Sequence, residues 1–153
     1  MTDIAADDAT RQILPLLDTQ LELAAALQNL LHAEYRALLG SDLAALTELL
    51  GQKRAAAESL ERSSLELSQH TAGAPHTMIP QMGGVPLQRW QQLGDLADSL
   101  RKQNLHNGAL LNERQNRLRW VAERAAGDAH PLYAARPSSG LASALSGRSL
   151  ARA

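Results

Sequence analysis

Leucine and alanine recur at heptad spacing over the first third of the chain. This stripe comprises Leu14, Leu17, Leu21, Ala24, Gln28, Leu31, Tyr35 and Leu38. Such a period is typical of an amphipathic helix that buries one face. Pro15 suits a first helical turn, because proline lacks the N–H that a helix interior would need. The pattern therefore predicts a first helix from Leu14 to Leu39, with the preceding residues frayed.

A short polar break separates this stripe from a second amphipathic stretch. Gly40 fits a C-terminal helix cap, and Ser41 or Asp42 fits the N-cap of the next helix. So short a connection makes the two helices antiparallel neighbours. The second helix is predicted from Asp42 to Gln69, with an inner stripe of Leu43, Leu46, Leu50, Lys53, Ala57, Leu60, Ser64 and Leu67.

Glycines and prolines interrupt the pattern between Thr71 and Pro86, so no regular helix is expected there. This segment is predicted to be a long loop, either docked on the bundle through apolar residues such as Ile79 or mobile. A third helix is predicted from Leu87 to Ala126. Its inner positions are Trp90, Leu93, Leu96 or Ala97, Leu100, Asn104, Asn107, Leu111, Leu118 and Val121.

The composition changes beyond Gly127 to scattered prolines, glycines and serines, with three arginines and no acid after Asp128. We therefore predict a helical bundle domain over residues 1–126 and a mobile tail over 127–153. Within the tail, Leu141 and Leu145 have the spacing of a short amphipathic helix. The predicted fold class is all-α: an elongated antiparallel up-and-down bundle of three long helices with a flexible C-terminal tail that can be partly helical.

The third predicted helix is the longest, at about 60 Å for ~1.5 Å per residue, so it overhangs the hairpin. If the overhang lies at its C-terminal end, Leu118, Trp120 and Val121 lack intramolecular cover. An exposed apolar strip of this kind is suited to binding a partner. The alternative is that the tail covers it.

Composition and charge narrow the classes of function. The chain contains no cysteine, which excludes disulfides, thiolate metal sites and cysteine nucleophiles. Its formal net charge of -1 gives no reason to expect nucleic-acid binding. The N-terminal residues are acidic where a signal peptide would be basic, and no apolar run is long enough for a transmembrane helix. These features predict a cytoplasmic protein without stable membrane insertion.

No residues in the sequence point to catalysis or to a cofactor. The five histidines lie at no metal-ligand spacing, and no phosphate-binding, dinucleotide-binding or G-x-S-x-G motif is present. Acid pairs such as Asp95 with Asp98 fit solvated helix faces better than an acid–base pair. The sequence therefore predicts a binding protein without metal or cofactor, not an enzyme.

Polar residues occupy the middle of the third predicted helix, in the run from Asn104 to Gly108. Asparagine at an inner heptad position weakens packing but fixes helix register, because a buried amide needs a specific partner. Gly108 lowers helix propensity by about 1 kcal/mol relative to alanine while permitting close approach of a neighbour. Two interpretations are open: a register device inside the bundle, or direct contact with a partner.

This polar run also resembles the signature of the FlgN-type flagellar chaperone family. The matching residues are Leu100, Arg101, Asn104, His106, Asn107, Gly108, Leu110 and Leu111. The resemblance extends to the leucine-rich hairpin, to Trp90 and to Leu132-Tyr133, so it spans nearly the whole chain. The chain departs from the family pattern after the tyrosine, where residues 134–136 stand in place of an early glycine.

The resemblance implies a cytoplasmic type III flagellar export chaperone. Its clients would be the hook-filament junction proteins FlgK and FlgL, whose C-terminal helical segments it would cover and deliver to the export gate protein FlhA. The candidate client-binding residues are Asn104, Asn107, Gly108, Leu111, Leu118, Val121, Leu141 and Leu145. Tyr133, with Leu132, is the candidate gate contact; the alternative for Tyr133 is packing on Trp120.

Other functions compatible with the pattern belong to different classes. The leucine heptads alone also fit a structural coiled-coil or polymerising protein. A related export chaperone would carry filament or filament-cap subunits instead of junction proteins. The asparagine signature favours the junction proteins.

Overall fold

The computed structural model describes residues 2–129, and the side-chain surroundings of residues 7–127. It contains four helices: α1 (Thr2–Gly40), α2 (Leu43–His70), α3 (Pro75–Met82) and α4 (Gly84–Ala129). No strand occurs among the described residues, which confirms the all-α prediction. Contacts group the chain into two units, Met1–Asn112 and Glu113–Ala153.

The first helix begins much earlier than the pattern predicts. α1 starts at Thr2, so Pro15 lies inside it and not in its first turn. Proline inside a helix removes a backbone hydrogen bond and costs ~3 kcal/mol. Ile13 and Leu17, on either side of Pro15, are both buried in the same apolar cluster, and this burial offsets the cost. The predicted start at Leu14 is therefore wrong, because tertiary packing outweighs the local effect of proline.

The turn between α1 and α2 is capped by Asp42, as the sequence predicts. Asp42 Oδ1 accepts a hydrogen bond from the Ala45 N–H at 3.0 Å, which satisfies a free donor of the first turn of α2. Gly40 lies within α1, and Ser41 adopts the left-handed conformation with φ of 62°. The prediction of Gly40 as the cap of α1 is wrong in this detail.

α2 packs on α1 through a face that is rotated from the predicted stripe. Gln20 Nε2 of α1 donates to the Ser63 carbonyl at 3.1 Å, and Ser63 and Leu67 are buried. Leu43 and Leu50 were predicted to be inner positions, but both are exposed, Leu50 by 62%. The prediction is therefore wrong for one of two heptad columns. The observed face keeps the column that contains Leu67, but its second column contains Ser63 in place of Leu50.

A short helix occupies the segment that was predicted to be a loop. α3 has Pro75 in its first turn, where proline is tolerated, and is bounded by Gly73 and Gly83, with φ of 78° and 65°. Ile79 is fully buried in a cluster with Ile13, Leu17 and Leu67. Burial of one apolar face therefore stabilises a helix that the local residues disfavour. The segment is docked, and the prediction that it holds no regular helix is wrong.

The first part of α4 runs parallel to α1. Arg89 pairs with Asp18 at 2.9 Å near one end, and Asn107 donates to the Leu31 carbonyl at 2.8 Å near the other. Within the unit Met1–Asn112, α1 therefore lies between α2 and α4. The long helices α1, α2 and α4 alternate in direction there, as the sequence predicts. A second apolar cluster joins α1 to α4 through Ala24, Leu31 and Leu100.

Candidate partner-binding surface

A buried polar cluster joins the three long helices. Asn107 in α4 is 1% exposed, and its Nδ2 donates to the Leu31 carbonyl and to Glu34 Oε2, both at 2.8 Å. Lys53 Nζ in α2 donates to both carboxylate oxygens of Glu34 at 3.1 Å. Glu34 in α1 thus accepts hydrogen bonds from α2 and α4 together. We call Glu34, Lys53 and Asn107 the polar node.

The polar node holds α2 and α4 at defined positions along α1. If either helix moved by one turn, a poorly solvated polar group would lose its partner, which costs ~1–3 kcal/mol or more for a charge. This arrangement supports the register interpretation for Asn107. Because the Asn107 amide is enclosed and has partners on α1, this residue positions α4 and does not lie at the surface.

Asn104 and Gly108 face outward, unlike Asn107. Asn104 is exposed and lines an opening of about 220 Å³ together with Lys53 and Arg101. A Cβ atom added at Gly108 would meet nothing within 4 Å. The expected close approach of another helix at Gly108 is therefore not found within the described residues. Both residues lie at the surface, where a partner can reach them.

Exposed apolar residues continue along α4 beyond the polar node. Leu111 is exposed at the end of the unit Met1–Asn112, and Leu118 and Val121 are exposed in the unit Glu113–Ala153. We call Leu118 and Val121, which both lie in the unit Glu113–Ala153, the apolar strip. Such a strip is suited to a partner helix.

Trp120 is exposed but does not belong to the apolar strip. It lies two residues from Leu118, about half a helical turn away, so its ring points from another side of α4. The Arg124 guanidinium lies 5.2 Å from the ring centroid, within the range of a cation–π contact. Leu118, Trp120 and Val121 are all exposed within the described part of the chain, and Trp120 lies on a neighbouring face of α4.

Several predicted site residues lie outside the described residues. These are the gate candidates Leu132 and Tyr133 and the client candidates Leu141 and Leu145. Their assignments stay predictions. The predicted domain boundary after residue 126 also stays a prediction.

A groove that the sequence analysis missed runs between α2 and α4, with α1 as its floor. Its larger part has a volume of about 760 Å³, and its lining includes Leu60, Leu67, Trp90, Leu93, Asp95 and Asp98. The smaller part, of about 220 Å³, follows along α4 and includes Lys53, Ala57, Arg101 and Asn104. We call the two parts together the α2–α4 groove. The sequence signal for the groove is the predicted α2 stripe, of which Lys53, Ala57, Leu60, Ser64 and Leu67 line it.

Among residues 2–129, none of the helices combines the length and the apolar character that a membrane span requires. Within the same part of the chain, no group of three or more histidine, aspartate or glutamate side chains is arranged to hold a metal ion.

Comparison with known proteins identifies a family. The sequence model of the FlgN protein family matches residues 1–121. The flagella synthesis protein FlgN of Yersinia enterocolitica is 32% identical over 103 residues, which cover 63% of this chain and 67% of that protein. No solved structure gives a match. The region matched by the family includes the polar node and ends at Val121 of the apolar strip.

Proposed function

Because the chain belongs to the FlgN family, whose members act in flagellar synthesis and export as chaperones, we propose that it is a cytoplasmic, non-enzymatic carrier of the hook-filament junction proteins FlgK and FlgL. In this proposal it covers the C-terminal helical segments of both clients and delivers them to the export gate protein FlhA. The observation that carries the proposal is the exposed apolar strip of Leu118 and Val121.

The apolar strip can protect a client segment by burying its apolar face. A free amphipathic helix exposes that face and self-associates, whereas burial against leucine and valine side chains is worth ~1.5–3 kcal/mol for each fully buried side chain. In the unit Met1–Asn112, Asn104 and Gly108 offer the client polar contact and room for close approach. Asn107 acts through the polar node, which fixes the position of α4. Leu141 and Leu145 complete the cover over the client helix.

Leu118→Ala tests the strip as the client-binding surface. We expect the affinity for the C-terminal segment of FlgK to fall by ~1–3 kcal/mol, because truncation removes an apolar anchor from the interface. The free energy of unfolding should change by less than ~0.5 kcal/mol, since Leu118 is 60% exposed. Titration calorimetry and urea denaturation measure the two quantities.

Leu65→Ala is the matched control, because Leu65 in α2 is also 60% exposed. It should leave FlgK binding unchanged. A large loss of stability in Leu118→Ala with unchanged affinity would assign Leu118 to an internal core. If the unmodified chain does not bind the FlgK segment, the proposed function is wrong.

Tyr133→Ala tests delivery to the gate separately from protection of the client. Tyrosine offers a rigid ring and a hydroxyl at low entropic cost, which suits a weak, reversible contact. We expect weaker FlhA binding and reduced export of FlgK and FlgL, with folding and client binding unchanged. Binding assays with FlhA and quantification of secreted FlgK measure these effects.

Tyr133→Phe keeps the ring and removes only the hydroxyl, so it separates the two contributions of the side chain. If Tyr133→Ala retains normal gate affinity and normal export, Tyr133 is not the gate contact. The alternative role, packing on Trp120, would then apply.

A further inference from the structure

The charge of the chain is divided unevenly between its two units. The unit Glu113–Ala153 contains seven arginines, no lysine and three acidic residues, which gives a formal net charge of +4 with histidine neutral. The unit Met1–Asn112 contains eight basic and 13 acidic residues, which gives -5. The net charge of -1 for the whole chain therefore conceals one basic and one acidic unit. Such an asymmetry is typical of a chain in which one unit binds a polyanionic surface.

One face of α4 within the basic unit combines two arginines with a tryptophan. Arg117, Trp120 and Arg124 are separated by three and four residues, so they follow one another along the same side of the helix. Trp120 is 56% exposed, and the side chain of Arg117 is 74% exposed. We call these three residues the Arg–Trp face.

The contacts of the two arginines within the chain leave them able to bind an anion. Arg117 donates to Glu113 Oε1 at 2.9 Å, but both side chains are largely exposed, and an exposed pair of this kind contributes little to stability. The ring of Trp120 attracts the charge of Arg124 but supplies no oxygen acceptor for its N–H groups. The net charge of +4 already subtracts Glu113 and the other two acids of the unit.

We propose that the Arg–Trp face binds the surface of an anionic phospholipid bilayer. A guanidinium group binds a phosphate through two parallel N–H donors, and a tryptophan ring is favoured at the boundary between the lipid headgroups and the acyl chains. A helix face that places an indole between two arginines matches both layers of such a surface. The contact is peripheral. It goes beyond the proposed function, because it gives the chain an affinity for lipid that is independent of client and gate protein.

The Arg–Trp face fits a lipid surface better than a nucleic acid, the other common polyanion. Proteins that bind single strands stack successive bases on several aromatic rings. Arg124 covers one face of Trp120, and residues 113–129 contain no second aromatic residue on which a next base could stack. A single exposed indole between cations is instead suited to one interface with an apolar and a charged layer.

The position of the Arg–Trp face leaves the client surface available. Leu118 and Val121 are centred about a quarter turn away around α4, so lipid on the Arg–Trp face does not cover the apolar strip. The unit Met1–Asn112 is acidic and is repelled by an anionic bilayer, so attachment occurs through the basic unit alone. The chain can therefore hold a client while it lies at a membrane surface.

The fluorescence of Trp120 reports directly on the Arg–Trp face. The chain has two tryptophans, so Trp90→Phe leaves Trp120 as the only one. The probe is vesicles of phosphatidylcholine and phosphatidylglycerol in equal parts. We expect saturable binding with a shift of Trp120 emission to shorter wavelength, because the ring leaves water. Vesicles of phosphatidylcholine alone should give no shift, and binding to the mixed vesicles should weaken as salt screens the charges.

The double variant Arg117→Gln and Arg124→Gln tests the charges of the Arg–Trp face. We expect binding to the mixed vesicles to weaken at least about tenfold in co-sedimentation, because each arginine near an anionic surface contributes about fivefold. The matched control is Arg54→Gln with Arg62→Gln, which removes the same charge from exposed positions of the acidic unit. The control should bind like the parent, and circular dichroism should show unchanged helix content in both variants.

Trp120→Ala tests the contribution of the ring. We expect weaker co-sedimentation with the mixed vesicles than for the parent chain, with helix content retained because Trp120 is exposed. Leu105→Ala is the matched control, since Leu105 is a 68% exposed apolar residue of α4 in the acidic unit. It should bind the vesicles like the parent.

Four results would overturn the inference. The first is equal binding to vesicles with and without phosphatidylglycerol, and the second is an equal loss in the Arg54 and Arg62 control. The third is binding of a single-stranded oligonucleotide, but not of vesicles, that depends on Arg117 and Arg124, because the partner would then be a nucleic acid. The fourth is self-association that needs these arginines without vesicle binding, because the partner would then be the acidic unit of a second copy. Normal vesicle binding by a chain that does not bind the FlgK segment would refute the proposed function alone.

Discussion

Leu17→Ala is expected to lower the free energy of unfolding by ~3–5 kcal/mol. Leu17 is 0% exposed and belongs to the apolar cluster in which α1, α2 and α3 meet, with Ile13, Leu67 and Ile79. Truncation removes buried methyl groups and leaves a cavity that this junction cannot close fully. The expected loss is a large part of the ~5–15 kcal/mol that stabilises a typical domain. Urea denaturation followed by circular dichroism measures it.

Leu50→Ala is the control for this experiment, because the heptad pattern placed both leucines on inner stripes. Leu50 is 62% exposed, so its truncation should cost less than ~0.5 kcal/mol. Similar losses at Leu17 and Leu50 would contradict the rotated face of α2 and restore the predicted stripe. A small loss at both positions would contradict the cluster around Leu17.

Asn107→Asp is expected to destabilise the protein by ~3 kcal/mol or more at neutral pH. The amide donates to the Leu31 carbonyl and to Glu34 Oε2, whereas a carboxylate cannot donate to either. The variant would place a second negative charge beside Glu34 in a site that is 1% exposed at Asn107. Burial of a charge without a compensating partner is among the most costly single changes.

The pH dependence of Asn107→Asp has a definite sign. Burial and the Glu34 carboxylate favour the neutral form, so the pKa of the introduced carboxyl is raised in the folded state. The loss of stability is therefore full at neutral pH and shrinks as the pH falls through the raised pKa toward about 3.9, the unfolded value. Urea denaturation of the variant and the parent over this range measures the difference.

Asn104→Asp is the matched control, three residues away on the same helix. Asn104 is exposed and lines the part of the groove that contains Lys53 and Arg101, so a negative charge there is tolerated. We expect a change in stability below ~0.5 kcal/mol and little dependence on pH. A large loss in this control, or none in Asn107→Asp, would refute the polar node as the element that sets helix register.

The helical class, the hairpin and the bounds of α2, to within a residue, follow from local sequence patterns. These features depend on interactions between residues close together in the chain. The Asp42 cap reaches a backbone N–H only three positions away, and heptad spacing reports the period of one helix. The asparagine motif was likewise visible as a misplaced polar run, and its resemblance to the FlgN family agrees with the family match.

Which helix faces meet, and where the chain stays helical against its local preference, depends on contacts between residues far apart in the sequence. Adjacent heptad columns of α2 have similar composition, and packing on α1 buries the column with Ser63 and leaves Leu50 exposed. α1 passes through Pro15, and α3 forms, because Ile13 and Ile79 are buried together. Asn107 is buried because it bonds to Leu31 and Glu34 on α1, whereas Asn104 is exposed. The two partners of Asn107 lie 76 and 73 positions away in the sequence. Contacts over such separations leave no period in the local sequence.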